Sequence, residues 1–599
     1  MERSPIELVP EDQTHLAQDR PAGETLEARG SSDAQPSCTK PKLRIGLMLD
    51  SWVVPSWTAR IVREIQQSDV AEVVLVVIND SPTPSRWARL RRTLPNLLYL
   101  LYYRIDRWIM KRLMHLGDDA FERVDIRTNV SGATAMQLVP LQKRYSQRFE
   151  PAAIEAMRAA RLDVILRFGF GIIRGDILTA AQLGVWSFHH GDNREYRGGP
   201  PMFWEMYEGN PVAGVTLQIL SDQLDGGKVI YRSLTKTNSF SLHINRNKNY
   251  WKGSDFVLRR LRDVHRRGAV ALSELDTYRE KSEYTRGIYR TPRNFTMLRF
   301  LMRLLVRSIR RAWRDSTTEE QWFIAWRRRA HDHGPSDITS TAGFRFLRPP
   351  RQYFYADPFL IKRDARNFIF FEHYSYRDRK AVISYVELAP DGAASPPQLA
   401  LQTEHHLSYP FVFEHDGQVY MLPESREVRR IELWRARTFP HDWQLARVLL
   451  DGVNAGDPTW FAFEGRYWLF ANLAVEGAAS SDELHCFFSS KPFGPWQPHA
   501  LNPVISDVRL ARPAGRIYQR DGRLVRPAQD CALVYGHRVV LREIDVLSPT
   551  EYREHSIGSI EPEWMPGNVG THTYDFNEDF EVVDGRVRVS RLPIGGRRA

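Results

Sequence analysis

Residues 184–227 read GVWSFHHGDNREYRGGPPMFWEMYEGNPVAGVTLQILSDQLDGG, and the fold turns on this stretch. An apolar run at 183–188 ends in the pair His189 and His190. An Arg-Gly-Gly-Pro turn follows at 197–200, then a period-2 run at 212–220, then Leu-Asp-Gly-Gly at 224–227. A histidine at a strand end and an aspartate on a Gly-rich turn supply an acid/base pair. One group moves the proton, and the carboxylate orients the imidazole and stabilises its charged form. His189 and Asp225 are therefore the candidate pair; without Asp225, His189 would read as a core histidine.

Outward from this stretch, residues 42–49 (KLRIGLML) and 73–78 (VVLVVI) are β-branched apolar runs, and 57–67 between them has helical spacing. That β-α-β order predicts a parallel sheet with crossover helices. Another buried strand is expected at 162–166, followed at 168–173 by glycines where backbone can approach a ligand. Ligands of such sheets bind beyond the carboxyl ends of the strands, which is where His189 falls.

The stretch resembles the core of the formyltransferase family, which includes methionyl-tRNA, glycinamide-ribonucleotide and amino-sugar formyltransferases. Gly184, His189, Tyr196, Arg197 and Gly198 fall on the family pattern, and Leu224, Asp225 and Gly227 fall on its second half. Ser187 stands where the family has an asparagine, and Gly191, Asp192, Asn193 and Arg194 replace its S-L-L-P. In the family, the asparagine amide holds the formyl oxygen while the histidine and aspartate handle the amine proton. The resemblance implies a Rossmann-like α/β domain with 10-formyltetrahydrofolate as donor, His189 and Asp225 catalytic, and Ser187 or Asn193 as oxyanion donor. Gly169, Phe170, Arg197 and Gly198 are the candidate contacts for the donor. Losing one oxyanion donor typically costs about 10²–10³ in rate, so two readings stand: a replaced amide, or a retained fold whose chemistry has changed or gone.

At 599 residues the chain is too long for a single core. Its 42% apolar and 26% charged residues are those of an ordinary globular protein. Cys38, Cys486 and Cys531 have no metal spacing and are too few for a disulfide framework; no metal is expected, and the setting is read as cytoplasmic. Residues 1–40 lack the apolar core of a signal peptide and read as a disordered tail. The net charge of +11 is concentrated as arginine at 86–112 and 259–329, which points to a localised anionic partner. Two stretches there, 94–116 and 295–313, mix long apolar residues with Arg and Lys at helical spacing. Such helices either lie in a membrane interface or pack between domains. Nucleic acid is disfavoured, since no recognition motif accompanies the arginines.

From Phe344 onward a repeat appears. Ala356-Asp357-Pro358-Phe359, Tyr409-Pro410-Phe411, Asp457-Pro458-Thr459 and Ala511-Arg512-Pro513 each lead into a strand, and three of the units show an Asp-Gly or Glu-Gly turn. A degenerate copy closes the series at 574–587. A period of roughly 50 residues suggests propeller blades, and five are expected. This half resembles the five-bladed propellers of arabinofuranosidase- and xylosidase-type glycoside hydrolases, and more closely the N-terminal domain of plant glucosamine inositolphosphorylceramide transferases. The resemblance implies cavity carboxylates: Asp357 and Asp457 in Asp-Pro settings, Glu372 and Glu424 ending outgoing strands. A glycosidase needs two carboxylates at a defined separation, and Tyr409 in the aspartate's place weakens that assignment. Sugar binding and a purely structural module remain alternatives; Tyr355, Trp460 and Trp468 are candidate stacking residues.

The expected organisation is a tail (1–40), a formyltransferase-like domain (41–255), a basic helical linker (256–340) and an all-β five-bladed propeller (341–599). The expected activity is formyl transfer to an amine, with an amino sugar or glycan as the acceptor. The rival reading is a silent formyltransferase fold with a carbohydrate-binding or glycosyl-transferring propeller.

Overall fold

The computed structural model describes residues 40–591 except 83–84, 113–117, 224–225, 274–285 and 330–334. The N-terminal half is built on a seven-stranded sheet in the order Lys228–Lys236, Val212–Ile219, Val185–His189, Val164–Arg167, Leu43–Leu49, Ala71–Asn79, Thr134–Leu138. The last five are mutually parallel, and the first two are added antiparallel. Leu43–Leu49 lies in the middle because both its faces are covered: Ile45, Leu47, Met48 and Leu49 are buried. Helix Ser56–Gln67 buries Trp57, Ile61, Val62 and Ile65, an i, i+4, i+8 stripe that packs on the sheet.

Helix Leu242–Arg267 starts where the Ser241 side chain accepts from the Ile244 N–H at 3.1 Å. It crosses the expected 255/256 domain boundary and buries Phe256, Val257, Leu261 and Val264 into the core of the α/β domain. Helices Leu97–Arg112 and Asn294–Thr317 pack beside the same domain. The second runs without a loop into strand Thr318–Arg328.

The C-terminal half is a five-bladed propeller. Three blades are four-stranded meanders beginning at Tyr353–Arg363, Ser408–His415 and Ala455–Phe463. The fourth begins at Arg512–Pro513. The fifth is shared by distant segments. Tyr574–Phe576 and Phe580–Ser590 form its inner strands, and Thr318–Arg328 and Arg345–Leu347 its outer ones. Thr318 to Arg328 pair antiparallel with Ser590 to Phe580 along their whole length. The ring thus closes with a strand from the segment expected to be linker, which covers the edge of Phe580–Ser590.

In the first three blades the inner strand is bulged at the X-Pro step. Asp357, Tyr409 and Asp457 each adopt a left-handed backbone there, with φ of 52°, 44° and 51°. A residue preceding proline rarely takes this conformation, and three copies in register mark a strained position repeated around the ring.

Candidate functional site

In the α/β domain, Arg167 sits opposite Ser187 at the carboxyl ends of adjacent parallel strands, with His189 two residues on. Arg167 Nε and Nη2 donate to Ser187 Oγ at 3.1 and 2.8 Å, and Nη1 donates to the carbonyls of Phe170 (3.2 Å) and Gly171 (2.9 Å). The place of the family asparagine is therefore filled by a serine hydroxyl held by a guanidinium. His189 Nε2 lies 2.6 Å from the Tyr196 carbonyl. A carbonyl only accepts, so Nε2 carries the hydrogen of this contact. His190 serves packing instead: its ring stacks on Tyr250 at 3.5 Å, and burial drives its pKa well down.

Asn193, on the loop after His189, accepts from Arg232 Nη2 at 3.1 Å. Asp225 lies outside the described residues. Glu205, which the motif reading did not single out, is on helix Phe203–Glu208 and only 2% exposed. Its Oε1 accepts no hydrogen bond among the described residues. Burial pushes its carboxyl up to about 7, with His189 pulling the other way. A buried carboxyl near neutrality, within electrostatic reach of a histidine, is a candidate acid/base group. Arg167 carried a readable signal, a charge ending an otherwise apolar strand; Glu205 carried none, because its burial is tertiary.

Each of the four candidate donor contacts also makes contacts within the chain. A Cβ on Gly169 would lie 2.3 Å from the Asp50 amide nitrogen, so this glycine answers to strand packing. Phe170 packs in the core near Phe149, at 5.6 Å between rings. Gly198 (φ 94°) is crossed by the 286–290 segment: a Cβ there would meet the Tyr289 carbonyl at 2.2 Å. Arg197 Nε donates to the Asn193 carbonyl at 2.9 Å. Arg167, Ser187 and His189 thus lie together at the carboxyl ends of two adjacent parallel strands.

At the propeller centre the expected carboxylates are buried and heavily hydrogen-bonded. Arg512 takes the slot held by aspartate in units one and three. Its Nε and Nη2 donate to Asp457 at 2.5 and 3.0 Å, and Nη2 also reaches Glu424 at 3.2 Å. Gln529 adds a 2.9 Å bond to Asp457. Asp357 accepts from Thr573 Oγ1 at 2.8 Å and from the Tyr409 N–H at 3.2 Å. His572 bridges Asp357 (3.4 Å) and Asp584 (2.5 Å). The ligand atoms of these last three lie within 4.8 Å of one another, a cation-sized spacing, and His572, its pKa raised by both carboxylates against the effect of burial, itself supplies positive charge. Glu372 faces His406 at 3.4 Å.

Burial pushes the Asp357 carboxyl up to about 6. Burial alone would raise Glu424 too, but Arg426 and Arg512 hold it down to about 2. Burial drives Asp457 up against the pull of Arg512. Tyr409 spans the centre: its hydroxyl lies 3.0 Å from Thr459 Oγ1 and accepts from the Gly515 N–H at 2.9 Å. Tyr355, Trp460 and Trp468 are buried at 4, 8 and 1% exposure, as core aromatics are.

The two sites share a seam. Edge strand Lys228–Lys236 is extended by residues 506–508, with Leu234 N to Ser506 O at 3.1 Å and Val508 N to Leu234 O at 3.0 Å. Lys252 reaches Asp482 at 2.8 Å, both 1% exposed, and Arg259 makes two bonds to Glu483 at 2.8 and 3.0 Å. These propeller loops lie at the blade ends that carry Asp457 and Arg512, because 474–483 leaves the strand paired beside Gly456 and 506–511 leads into Arg512. Val212 packs there with Tyr535, whose ring lies under Arg512 at 4.9 Å. Asp192, three residues after His189, adds its charge to that of Asp507 at Arg509. The α/β domain is therefore seated on the carboxylate-bearing face of the propeller.

Comparison with known proteins gives each half a counterpart. The family described as "Formyl transferase" matches residues 54–238, and "Glucosamine inositolphosphorylceramide transferase 1, N-terminal" matches 346–565. Glucosamine inositolphosphorylceramide transferase 1 of Arabidopsis thaliana is 40% identical over 205 residues, covering 34% of this chain and 27% of that protein. Methionyl-tRNA formyltransferase of Chlorobium phaeovibrioides is 34% identical over 90 residues, 15% of this chain and 28% of that protein. The chain thus spans only about a quarter of the length of these curated relatives. Glycinamide ribonucleotide transformylase 1 from Symbiobacterium toebii aligns over 38% of this chain and 88% of its own, at 16% identity and a TM-score of 0.26. The chain therefore joins a formyltransferase-like α/β domain to a five-bladed propeller containing a domain of the glucosamine inositolphosphorylceramide transferase N-terminal type.

Proposed function

We propose that this chain is a formyltransferase-like enzyme of glycan metabolism, moving a formyl group from 10-formyltetrahydrofolate to the amine of an amino sugar. The observation that carries the reading is Arg167 bound to Ser187 beside His189 at the sheet's carboxyl edge. The donor supplies an electrophilic formyl carbon. As the amine attacks it, negative charge gathers on the formyl oxygen, where a guanidinium-backed hydroxyl is a stronger stabiliser than a lone serine. His189 takes up the amine proton and returns it to N10 of the departing tetrahydrofolate as the formyl C–N10 bond breaks, and Glu205 offsets the imidazolium charge. The propeller, which matches a sugar-transferase N-terminal domain and adjoins the motif loop, holds the acceptor glycan. The setting is cytoplasmic, a reading supported by the free thiols of Cys486 and Cys531.

The test is release of tetrahydrofolate on incubating the protein with 10-formyltetrahydrofolate and a panel of amino sugars. Release that falls about 10²–10³-fold in His189→Ala supports the reading; no release with any acceptor, or an unaffected variant, sinks it. The second reading is a silent α/β fold with a glycan-binding or glycosyl-transferring propeller. It is favoured by the separation of two central carboxyls, Asp357 pushed up to about 6 by burial and Glu424 held down to about 2 by Arg426 and Arg512. Sugar binding lost in Asp357→Asn, without tetrahydrofolate release, would select it.

A further inference from the structure

Helices Leu97–Arg112 and Asn294–Thr317 each bury one face in a shared cluster. Tyr99 from the first meets Met297 and Phe300 from the second, over Met202, Phe203 and Leu242 of the α/β domain. Asn294 ties the pair together, accepting from Leu98 N at 3.0 Å and donating to the Leu94 carbonyl at 2.9 Å. Their opposite faces are apolar as well. On the longer helix Phe295, Leu298, Met302, Leu305, Ile309 and Trp313 are each 53 to 70% exposed. Taking about 100° per residue, these six fall within a sector of about 80°, and Arg299, Arg303 and Arg310 occupy the sector beside it. On the shorter helix Leu101, Ile105 and Trp108 face outward, with Arg104, Lys111 and Arg112 exposed among them.

Neither helix presents an unpaired exposed acid: Asp106 is buried and accepts from the His243 N–H, and Asp315 is paired with Arg311 and Arg314. No helix among the described residues is long and apolar enough to cross a membrane. A contiguous apolar face of this extent marks an interaction surface. Its single-sign basic flank, with aliphatic arginine stems able to lie along the apolar stripe, suits an anionic bilayer.

We infer that this helix pair is an interfacial membrane anchor, lying in the plane of an anionic lipid surface with the apolar stripe inserted and the arginines at the headgroups. The inserted stripe is the exposed face of the pair, opposite the buried face that packs on the helix carrying Glu205, so the anchor is proposed independently of formyl transfer.

Flotation of the full chain with phosphatidylcholine vesicles, with and without phosphatidylglycerol, tests it. The wild-type chain should float with the anionic vesicles, less so at high salt. Leu298→Glu with Ile309→Glu should reduce the bound fraction at least about tenfold, and Arg299→Glu with Arg310→Glu should abolish the preference for phosphatidylglycerol. All four positions are exposed, so the unfolding midpoint should be unchanged, which separates lost binding from lost folding. Absence of flotation, equal flotation of the apolar variant, or a dimer that the apolar variant converts to monomer without vesicle binding would each overturn the assignment. Tetrahydrofolate release on a soluble amino sugar should not respond to these variants, so the two proposals fail separately.

Discussion

The sheet edge of the α/β domain and the centre of the propeller both gather buried ionisable groups, but they differ in how those groups are matched. Around Asp457 nearly every lone pair has a donor: Arg512 provides two bonds and Gln529 a third. Beside His189, Glu205 is as deeply buried yet leaves one oxygen without a hydrogen bond among the described residues, and its carboxyl is pushed up to about 7. Saturated charge networks fix geometry, because removing one partner leaves an uncompensated buried charge. Under-matched groups near neutrality can exchange protons at little cost, which is what acid/base chemistry needs. On this contrast we propose an architectural role for the Arg512 cluster and a reactive one for the strand end with His189.

The strongest way to break that contrast is Arg512→Met. It strands Asp457 and Glu424 and should lower stability by about 3–5 kcal/mol in denaturant unfolding; a loss under about 1 kcal/mol would remove the cluster's architectural role. Next, Arg167→Leu should reduce formyl transfer about 10²–10³-fold, equivalent to roughly 3–4 kcal/mol, with tetrahydrofolate release as the readout. A rate within threefold or so of wild type would place the oxyanion donor elsewhere.

Glu205 gives a pH signature of comparable but diffuse size. Its folded pKa of about 7 lies above the ordinary 4.5. The stability linked to its protonation is complete below about 4.5 and is lost as pH rises through about 7, amounting to about 3 kcal/mol. Glu205→Gln should flatten that part of the stability–pH curve, measured by urea unfolding at several pH values between those limits. An unchanged slope would show that Glu205 is not the titrating group. The smallest effect is expected from Tyr409→Phe, which deprives the Gly515 N–H of its acceptor and should cost about 1–3 kcal/mol with no change in formyl transfer.

Much of this organisation was legible from residue patterns. The strands expected at 42–49, 73–78 and 162–166 appear as Leu43–Leu49, Ala71–Asn79 and Val164–Arg167, because a doubly covered strand must be an unbroken apolar run. The propeller was visible as a repeat, and even the Arg512–Asp457 pair left a trace: unit four carries arginine in the slot where unit three carries aspartate. The ring closure was not legible. Strand Thr318–Arg328 pairs with Phe580–Ser590 across some two hundred and fifty residues, and hydrophobic alternation says that a strand exists, not which edge it joins. His572, outside the repeated motif, was equally hidden, as was Glu205, whose shifted carboxyl follows from burial alone.

The sequence by itself determined the two domain types, the place of His189 at a strand end, and the substitution of Ser187 for the family asparagine, since these are local patterns and fixed spacings. Only the tertiary structure decided that Arg167 holds Ser187, that the candidate donor glycines Gly169 and Gly198 lie against other backbone, and that the α/β domain sits on the carboxylate face of the propeller. Those facts depend on which distant surfaces meet, and desolvation and charge pairing act only once they have met.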